Sequence, residues 1–571
     1  MTTIPRPEFP EPQFQRDHWQ NLNGQWDFLI DDGDSGLDRH FETTGDFDQQ
    51  ITVPFCPESE LSGIHHLDFM PAVWYRRTVT VSAAELAGVV RLHFGAVDYE
   101  THVFVNGEAV GTHRGGYSSF AFDIQAHLHE GANTLVVCAR DDLRSGKQPN
   151  GKQSHLYYSH DCDYTRTTGI WQTVWLEFLP QTHVQSVKFF PNVARTSVAV
   201  QLQTVGAGDV TIAISYQGQP CGQATVASTG QLATVEIPLS EQHLWELGHG
   251  RLYDVTLTIG DDVVHSYFGL REVRLEGYKF MLNDRSVFQR LVLDQGFYPT
   301  GIYTAPSDAD FVRDIELAKA AGFNGARLHQ KPVEARYLYH CDQAGYMVWG
   351  EMASWGIDGS RPEAIYHFLP EWQELVARDI NHPAIVTWCP FNETWDVDGR
   401  PQLKEIWATT YHVTKATDPT RPCVDTSGNY HAVTDIYDIH NYEQDPAKFA
   451  EEFDGAQQPN HEFWDEHDAR QQYQAGQPIN VSEYGGIKWA PSEETAGWGY
   501  GDGPKTEAEF MARYAGLTKV LLANPHLSGF CYTQLYDVEQ ERNGLYYYDR
   551  SAKFDMGEIK AATEAKAAIE D

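Results

Sequence analysis

Hydrophobic and polar positions alternate in short runs over the first third of the chain. Val73–Val81, Val89–Phe94, Thr101–Val105 and Thr134–Asp141 are such runs, separated by Gly, Asp and Asn-Gly turns. Alternation at this density, with no helical pattern between the runs, predicts an antiparallel sandwich over residues 1–182. Before these runs, Asn23-Gly24 sits between aromatic arms in Trp19–Phe28, a hairpin signal, and residues 1–18 are Pro-rich and extended. A second set is richer in Val and Thr: Val184–Phe190, Ser197–Thr204, Asp209–Tyr216, Gln223–Val226, Ala233–Pro238 and Leu252–Ile259. It predicts an immunoglobulin-like sandwich over residues 183–268 with no obvious chemistry of its own.

From Gly269 onwards the period changes. Apolar runs now alternate with amphipathic helical patterns, the signature of parallel βα units. The predicted strands are Phe288–Asp294 (β1), Gly325–His329 (β2), Met347–Glu351 (β3), Ala384–Phe391 (β4), Cys423–Thr426 (β5), Ile436–His440 (β6), Ile479–Glu483 (β7) and Gly529–Thr533 (β8). The predicted helices are Asp308–Ala321, Glu334–Ala344, Pro370–Asn381, Gln402–Thr417 and Ala508–Ala523, with a long loop over 443–477. Eight such strands predict a catalytic (β/α)8 barrel over residues 269–571.

Two of these strands end in carboxylates. β4 breaks at Pro390 and runs into Asn392-Glu393, and β7 ends in Ser482-Glu483-Tyr484. Barrels place their chemistry at the C-terminal ends of strands, and strands 4 and 7 face each other across the ring. A carboxylate pair there predicts glycoside hydrolysis, with one acid and one nucleophile in a retaining enzyme. The acid needs a raised pKa, and Glu393 has Phe391 and Trp395 beside it; Glu483 has Tyr484 next to it and Tyr442 near the end of β6. The reading is therefore Glu393 as acid/base and Glu483 as nucleophile.

Composition narrows the partners. Lys and Arg number 42 against 80 Asp and Glu, a formal charge of −38. Binding to phosphate backbones or anionic membrane needs a basic surface, so nucleic acid and membrane are not expected. No apolar run is long enough to span a bilayer, the start has no signal-like apolar region, and the eight cysteines show no C-x-x-C or disulfide framework. The expected location is cytoplasmic. His65-His66 and His160-x-Cys162 lack partner motifs, so no metal site is expected.

The motifs together resemble glycoside hydrolase family 2, the family of β-galactosidase, β-glucuronidase and β-mannosidase. The resemblance runs through Leu22-Asn23-Gly24-Gln25-Trp26, Trp74-Tyr75-Arg76-Arg77, Phe104-Val105-Asn106-Gly107, Gly169-Ile170-Trp171-Gln172, Gly322–His329, Trp388…Asn392-Glu393 and Ser482–Gly485. It implies a jelly-roll sugar-binding domain, an immunoglobulin-like domain and a catalytic TIM barrel, and a retaining exo-acting mechanism. It implies the same roles for Glu393 and Glu483, a 2-hydroxyl contact for Asn392, and a nucleophile contact for Tyr442. Arg327, His329 and His440 would line the sugar subsite. Asp163, six residues before Gly169, resembles a sandwich-loop aspartate that reaches the sugar in β-galactosidases. Trp355 and Glu351 after and at the end of β3, and Gln534 and Asp537 after β8, are further candidates for substrate contact. No cofactor is required, although some members use Mg²⁺ or Na⁺, and the resemblance leaves room for a homo-oligomer.

β-Galactosidase activity leads on frequency within the family, with galactofuranosidase, arabinofuranosidase, β-mannosidase and β-glucuronidase as alternatives. Glu541-Arg542-Asn543 departs from the Asn-x-Lys signature by which the family's glucuronidases hold a uronate. A non-catalytic carbohydrate-binding protein is the alternative of another class, and transglycosylation is a third reading.

Overall fold

The computed structural model describes residues 4–570 apart from 466–469, 472 and 492–496. Its first body is a two-sheet sandwich. A six-stranded antiparallel sheet, in the order Gln49–Val53, Gly24–Ile30, Ala72–Val81, Gly131–Arg140, Glu100–Val105 and Glu108–Arg114, faces a four-stranded sheet built on Val174–Leu179 and Val89–Phe94. The inward positions of both sheets, among them Trp26, Tyr75, Leu92, Phe94, Val137 and Leu176, make one buried core.

The second body packs a three-stranded sheet (His183–Asn192, Ser197–Val205, Ala233–Pro238) on a four-stranded one (Gln219–Ser228, Gly208–Tyr216, Tyr253–Ile259, Asp262–Phe268). Its core includes Phe189, Val200, Ile212 and Leu257. The strand Asp262–Phe268 adds to those expected. It returns from Gly260, whose φ of 57° lies in the left-handed region that a tight turn requires. A small antiparallel sheet, Val273–Glu276, Lys279–Leu282 and Arg285–Ser286, then precedes the barrel; it was not expected from the sequence.

The barrel strands run Gln289–Asp294 (β1), Gly325–Leu328 (β2), Met347–Glu351 (β3), Ile385–Cys389 (β4), Thr426–Ser427 (β5), Tyr437–Asn441 (β6), Ile479–Gly485 (β7) and Leu527–Thr533 (β8). Seven form one parallel sheet in the order 4-3-2-1-8-7-6. The gap is spanned by β5, which pairs with Phe391–Asn392, the continuation of β4 beyond Pro390. The helices on the outside include Asp308–Ala320, which opens with a Ser307/Asp310 capping box. Helix Ala364–Asp379 begins six residues before the expected Pro370 and runs through it. Its buried face, Phe368, Trp372, Leu375 and Val376, outweighs the backbone hydrogen bond that proline forfeits. The expected loop over 443–477 contains a helix, Pro446–Glu452, capped by Asp445. No helix among the described residues is long and apolar enough to cross a membrane.

The N-terminal arm ties the three bodies together. Arg6 forms a two-pronged ion pair with Glu334 of the barrel, and its carbonyl accepts from Asn21 and Asn23 of the first sandwich. Arg16 pairs with Asp262 of the second sandwich, and Gln15 exchanges backbone hydrogen bonds with His265.

Candidate active site

β4 and β7 bring Glu393 and Glu483 to the same end of the barrel. Their link is His440 at the end of β6: Nδ1 lies 2.8 Å from Glu393 Oε1 and Nε2 lies 3.4 Å from Glu483 Oε1. One ligating atom from each of the three residues falls within 4.8 Å of the others. Glu393 has a φ of 43°, a left-handed conformation unusual for a side chain of this kind. Such a position costs on the order of 1–3 kcal/mol and persists only where the surroundings enforce it. Here Glu393 N donates to Ser427 O at 2.8 Å, so β5 holds the kink.

The charge states follow from these contacts. Burial pushes the Glu393 carboxyl up, but the hydrogen bond and charge of His440 outweigh it and hold the group below its ordinary range. Burial also works against protonated His440, yet Glu483 and Glu393 raise its pKa above the usual value. This corrects the expectation that apolar neighbours raise the Glu393 pKa. Phe391 turns away to stack on Phe368, with centroids 4.2 Å apart, and Trp395 offers its indole N–H to Glu393 Oε2 at 3.4 Å.

Arg327, on β2, is fully buried and organises the floor. Its Nη1 donates to Glu483 Oε1 at 2.8 Å and to Ser482 O at 3.1 Å; Nε donates to Glu351 Oε2 at 2.5 Å; Nη2 donates to Asn392 Oδ1. Tyr442 O–H donates to the other oxygen of Glu483. Tyr442 stacks face to face on Tyr500, 3.4 Å between centroids. The Asn392 side-chain N–H₂ is buried and has no partner among the described residues.

The remaining candidates divide. His329 is held neutral, chiefly by burial, so its contact at 3.0 Å with Glu351 Oε1 places the ring proton on Nδ1 and leaves Nε2 an acceptor. Glu351 is 2% exposed and its oxygens are taken by Arg327, His329 and Gln330 N, so it supports Arg327 rather than presenting itself to a hydroxyl. Trp355 borders the site, donating from Nε1 to Asn392 O at 3.1 Å. Asp163 joins His155 and His160 in a cluster of potential ligating atoms, and its carboxyl feels the charge of Lys152. Gln534 donates to Asn543 at 2.8 Å, and Asp537 is bound by Lys553 Nζ at 2.5 Å. These contacts brace the loop after β8, while Gln534 Oε1 is buried with no partner among the described residues.

Several residues here carried no sequence signal. Ser427, Ser482 and Asp438 form a buried hydroxyl–carboxylate network under His440, whose Nε2 lies 3.0 Å from Ser427 Oγ. His431 closes it behind, between Asp425 at 2.7 Å and Asp438 at 3.1 Å. Lys152 arrives from the first sandwich with Nζ 4.8 Å from the Trp355 ring centroid. Only the Asn150-Gly151 turn before it marks that segment in the sequence.

The same loop of the first sandwich packs over the barrel mouth. Gln540 donates to the carbonyls of Asp161 and Asp163, Thr165 N donates to Glu539, and Tyr164 O–H donates to Glu541.

Comparisons with known proteins agree with this architecture. Residues 19–180 match the sugar-binding domain of glycosyl hydrolases family 2, residues 182–271 match a further model of that family, and residues 304–492 match its TIM barrel domain. A β-galactosidase of Thermoanaerobacter pseudethanolicus is 27% identical over 403 residues, covering 66% of this chain and 52% of that protein. A putative β-glucuronidase of Formosa agariphila is 25% identical over 345 residues, 56% of this chain and 40% of that one. The chain thus spans about half the length of the curated relatives it matches, or less. A β-glucuronidase from Ruminococcus gnavus superposes with a TM-score of 0.80 at 20% identity, covering 97% of this chain and 99% of that one. The Lactobacillus rhamnosus β-glucuronidase gives 0.80 at 20%, covering 99% and 100%. At that identity the likeness is one of fold. With its two sandwiches and its barrel matched in order, the chain belongs to glycoside hydrolase family 2.

Proposed function

We propose that the chain is a retaining, exo-acting glycoside hydrolase that removes a terminal non-reducing sugar, with β-galactosides as the leading substrates. The observation that carries this reading is the closeness of Glu393 and Glu483, with one oxygen of each within 4.8 Å and His440 between them. Retaining pairs stand about 5–5.5 Å apart, whereas inverting pairs need about 6.5–9.5 Å to admit a water.

In this reading Glu483 attacks the anomeric carbon while Glu393 protonates the leaving oxygen; Glu393 then takes a proton from the water that releases the sugar. Arg327 and Tyr442 orient the nucleophile. The free amide N–H₂ of Asn392 suits the sugar 2-hydroxyl oxygen. The loop packed over the barrel mouth favours a pocket that takes chain ends over an open groove.

β-Galactosidase leads because several relatives bear that name. The test is a panel of nitrophenyl pyranosides and furanosides of galactose, glucose, mannose, glucuronate, xylose and arabinose. NMR would follow the anomer of the first product. Retention on a β-galactoside is expected; an inverted first product, or no turnover of any member, would overturn the reading.

A further inference from the structure

The turn Asn150-Gly151-Lys152 belongs to the first sandwich but is wedged against the barrel. Asn150 N donates to Trp355 O at 2.8 Å. Gly151, at φ 54°, lies so close to the backbone after β2 that a Cβ there would come within 2.2 Å of Gln330 O. A Cβ on Gly356 would meet the Asn150 amide at 2.3 Å. The turn is therefore fixed on the loops after β2 and β3, and Lys152 follows it into the site, 6% exposed.

The lysine ammonium is unusual in its lack of protein partners. Buried Lys331 donates to Tyr303 O at 2.7 Å and to Gly296 O, and buried Lys553 to Asp537 at 2.5 Å. Among the described residues Lys152 Nζ meets no hydrogen-bond acceptor and no carboxylate within 4.0 Å, only the face of Trp355. The side chain is largely buried but Nζ is not fully enclosed, so water or a ligand hydroxyl can supply its acceptors. The surrounding charge keeps it protonated: burial opposes the charge, but Cys162, Glu541, Glu483 and Glu393 together raise its pKa. Trp355 bonds to Asn392 O, which places the ammonium next to the residue preceding Glu393.

The chemistry of the surroundings selects the ligand. Cys162, Glu541, Glu483 and Glu393 are the groups whose charge favours the ammonium; Glu483 and Glu393 are themselves paired with Arg327 and His440, and Asn543, bonded to Glu541 and Gln534, adds no cation. An anionic sugar would add another negative charge to this set. A neutral sugar hydroxyl can accept from the ammonium and still donate to a carboxylate.

We propose that Lys152 is a specificity-determining residue of this site, a buried ammonium carried in by the sandwich that donates to hydroxyl oxygens of a neutral sugar. This rests on the glycosidase reading above. Hydrogen bonds from a charged donor make the hydroxyl it reads indispensable.

The test compares wild type, Lys152→Met and Lys152→Arg on the aryl glycoside panel, including the glucuronide. The expected result is a loss of about 10- to 100-fold in kcat/KM on the best neutral glycoside for Lys152→Met. Lys152→Arg should recover part of it, the melting temperature should hold, and the penalty should vanish on the monodeoxy glycoside lacking the hydroxyl that is read. A Lys152→Met enzyme within about threefold of wild type overturns the proposal. So does a wild type that prefers the glucuronide. If the wild type splits no glycoside, the glycosidase reading falls by itself. Binding of free galactose, arabinose and glucuronate, followed by tryptophan fluorescence, then decides on Lys152: weaker neutral-sugar binding by Lys152→Met upholds its role, and equal or absent binding overturns it.

Discussion

His440 Nδ1 lies 2.8 Å from Glu393 Oε1, and in the proposed reaction this pair holds the proton that a leaving group would need. The free pair holds that proton mainly on the imidazole, since the His440 pKa is raised and the Glu393 pKa is lowered. Moving it to Glu393 yields the neutral acid without uptake from solvent.

A pH prediction follows with a definite sign. The one-proton pair exists from just above the lowered Glu393 pKa up to the raised His440 pKa, so wild-type kcat/KM should fall on the alkaline side only above the ordinary histidine range. In His440→Gln the proton must reside on Glu393 alone, and the alkaline limb should move to lower pH. A limb that stays in place in the variant would show that His440 does not set the proton inventory.

Glu483→Ala should abolish turnover of a matched aryl glycoside and be rescued by azide, giving a glycosyl azide of inverted configuration. Full activity in this variant would refute the nucleophile assignment.

Glu393→Ala should lose far more activity on substrates with poor leaving groups than on activated aryl glycosides, since only the former need protonation. Comparable losses on both would argue that another group is the acid. The contrast is read from kcat/KM across a series of leaving groups.

Arg327→Met removes a fully buried cation bonded to both Glu483 and Glu351. Leaving those carboxylates uncompensated should cost about 3–5 kcal/mol of stability. Denaturant titration should show it as a lower midpoint with an unchanged slope. A change below about 1 kcal/mol would mean that water replaces the guanidinium.

His431 gives a second pH-dependent term, in stability. Burial disfavours its charge, but Asp425 and Asp438 raise its pKa to about 10. A raised folded-state pKa means the contribution is full below the unfolded value of about 6.5 and disappears as pH rises towards 10. His431→Gln should be less stable than wild type near pH 6 and should flatten the alkaline decline measured by denaturant midpoint. The same decline in both proteins would assign it to other groups.

The parts of this site that the sequence made legible are those fixed by one strand. Glu393 and Glu483 end apolar runs, and alternation in the chain marks both runs as strands. Their electrostatic setting was not legible. Trp395 and Phe391 are neighbours in sequence, but His440, 47 residues on, governs the Glu393 charge. Lys152 reaches the site by the docking of one body on another, which no local pattern encodes. Glu351 and Asp537 stand where the sequence places them, but Arg327 and Lys553 hold their carboxylates. The strand Asp262–Phe268 and helix Pro446–Glu452 lay in stretches too short or too polar to show a period.

The N-terminal arm has a consequence for how the molecule comes apart. The barrel core takes in Tyr117, Tyr164 and Trp171 of the first sandwich and Trp245 of the second, so the three bodies already share buried contacts. Arg6 holds the arm to the barrel and the first sandwich, while Arg16 holds it to the second. Pulling the arm off the barrel or the second sandwich leaves Arg6 or Arg16 and its carboxylate partner unpaired, so the arm adds to the coupling between the bodies. Cleavage between Arg6 and Arg16 would weaken that coupling while leaving every strand of the barrel intact.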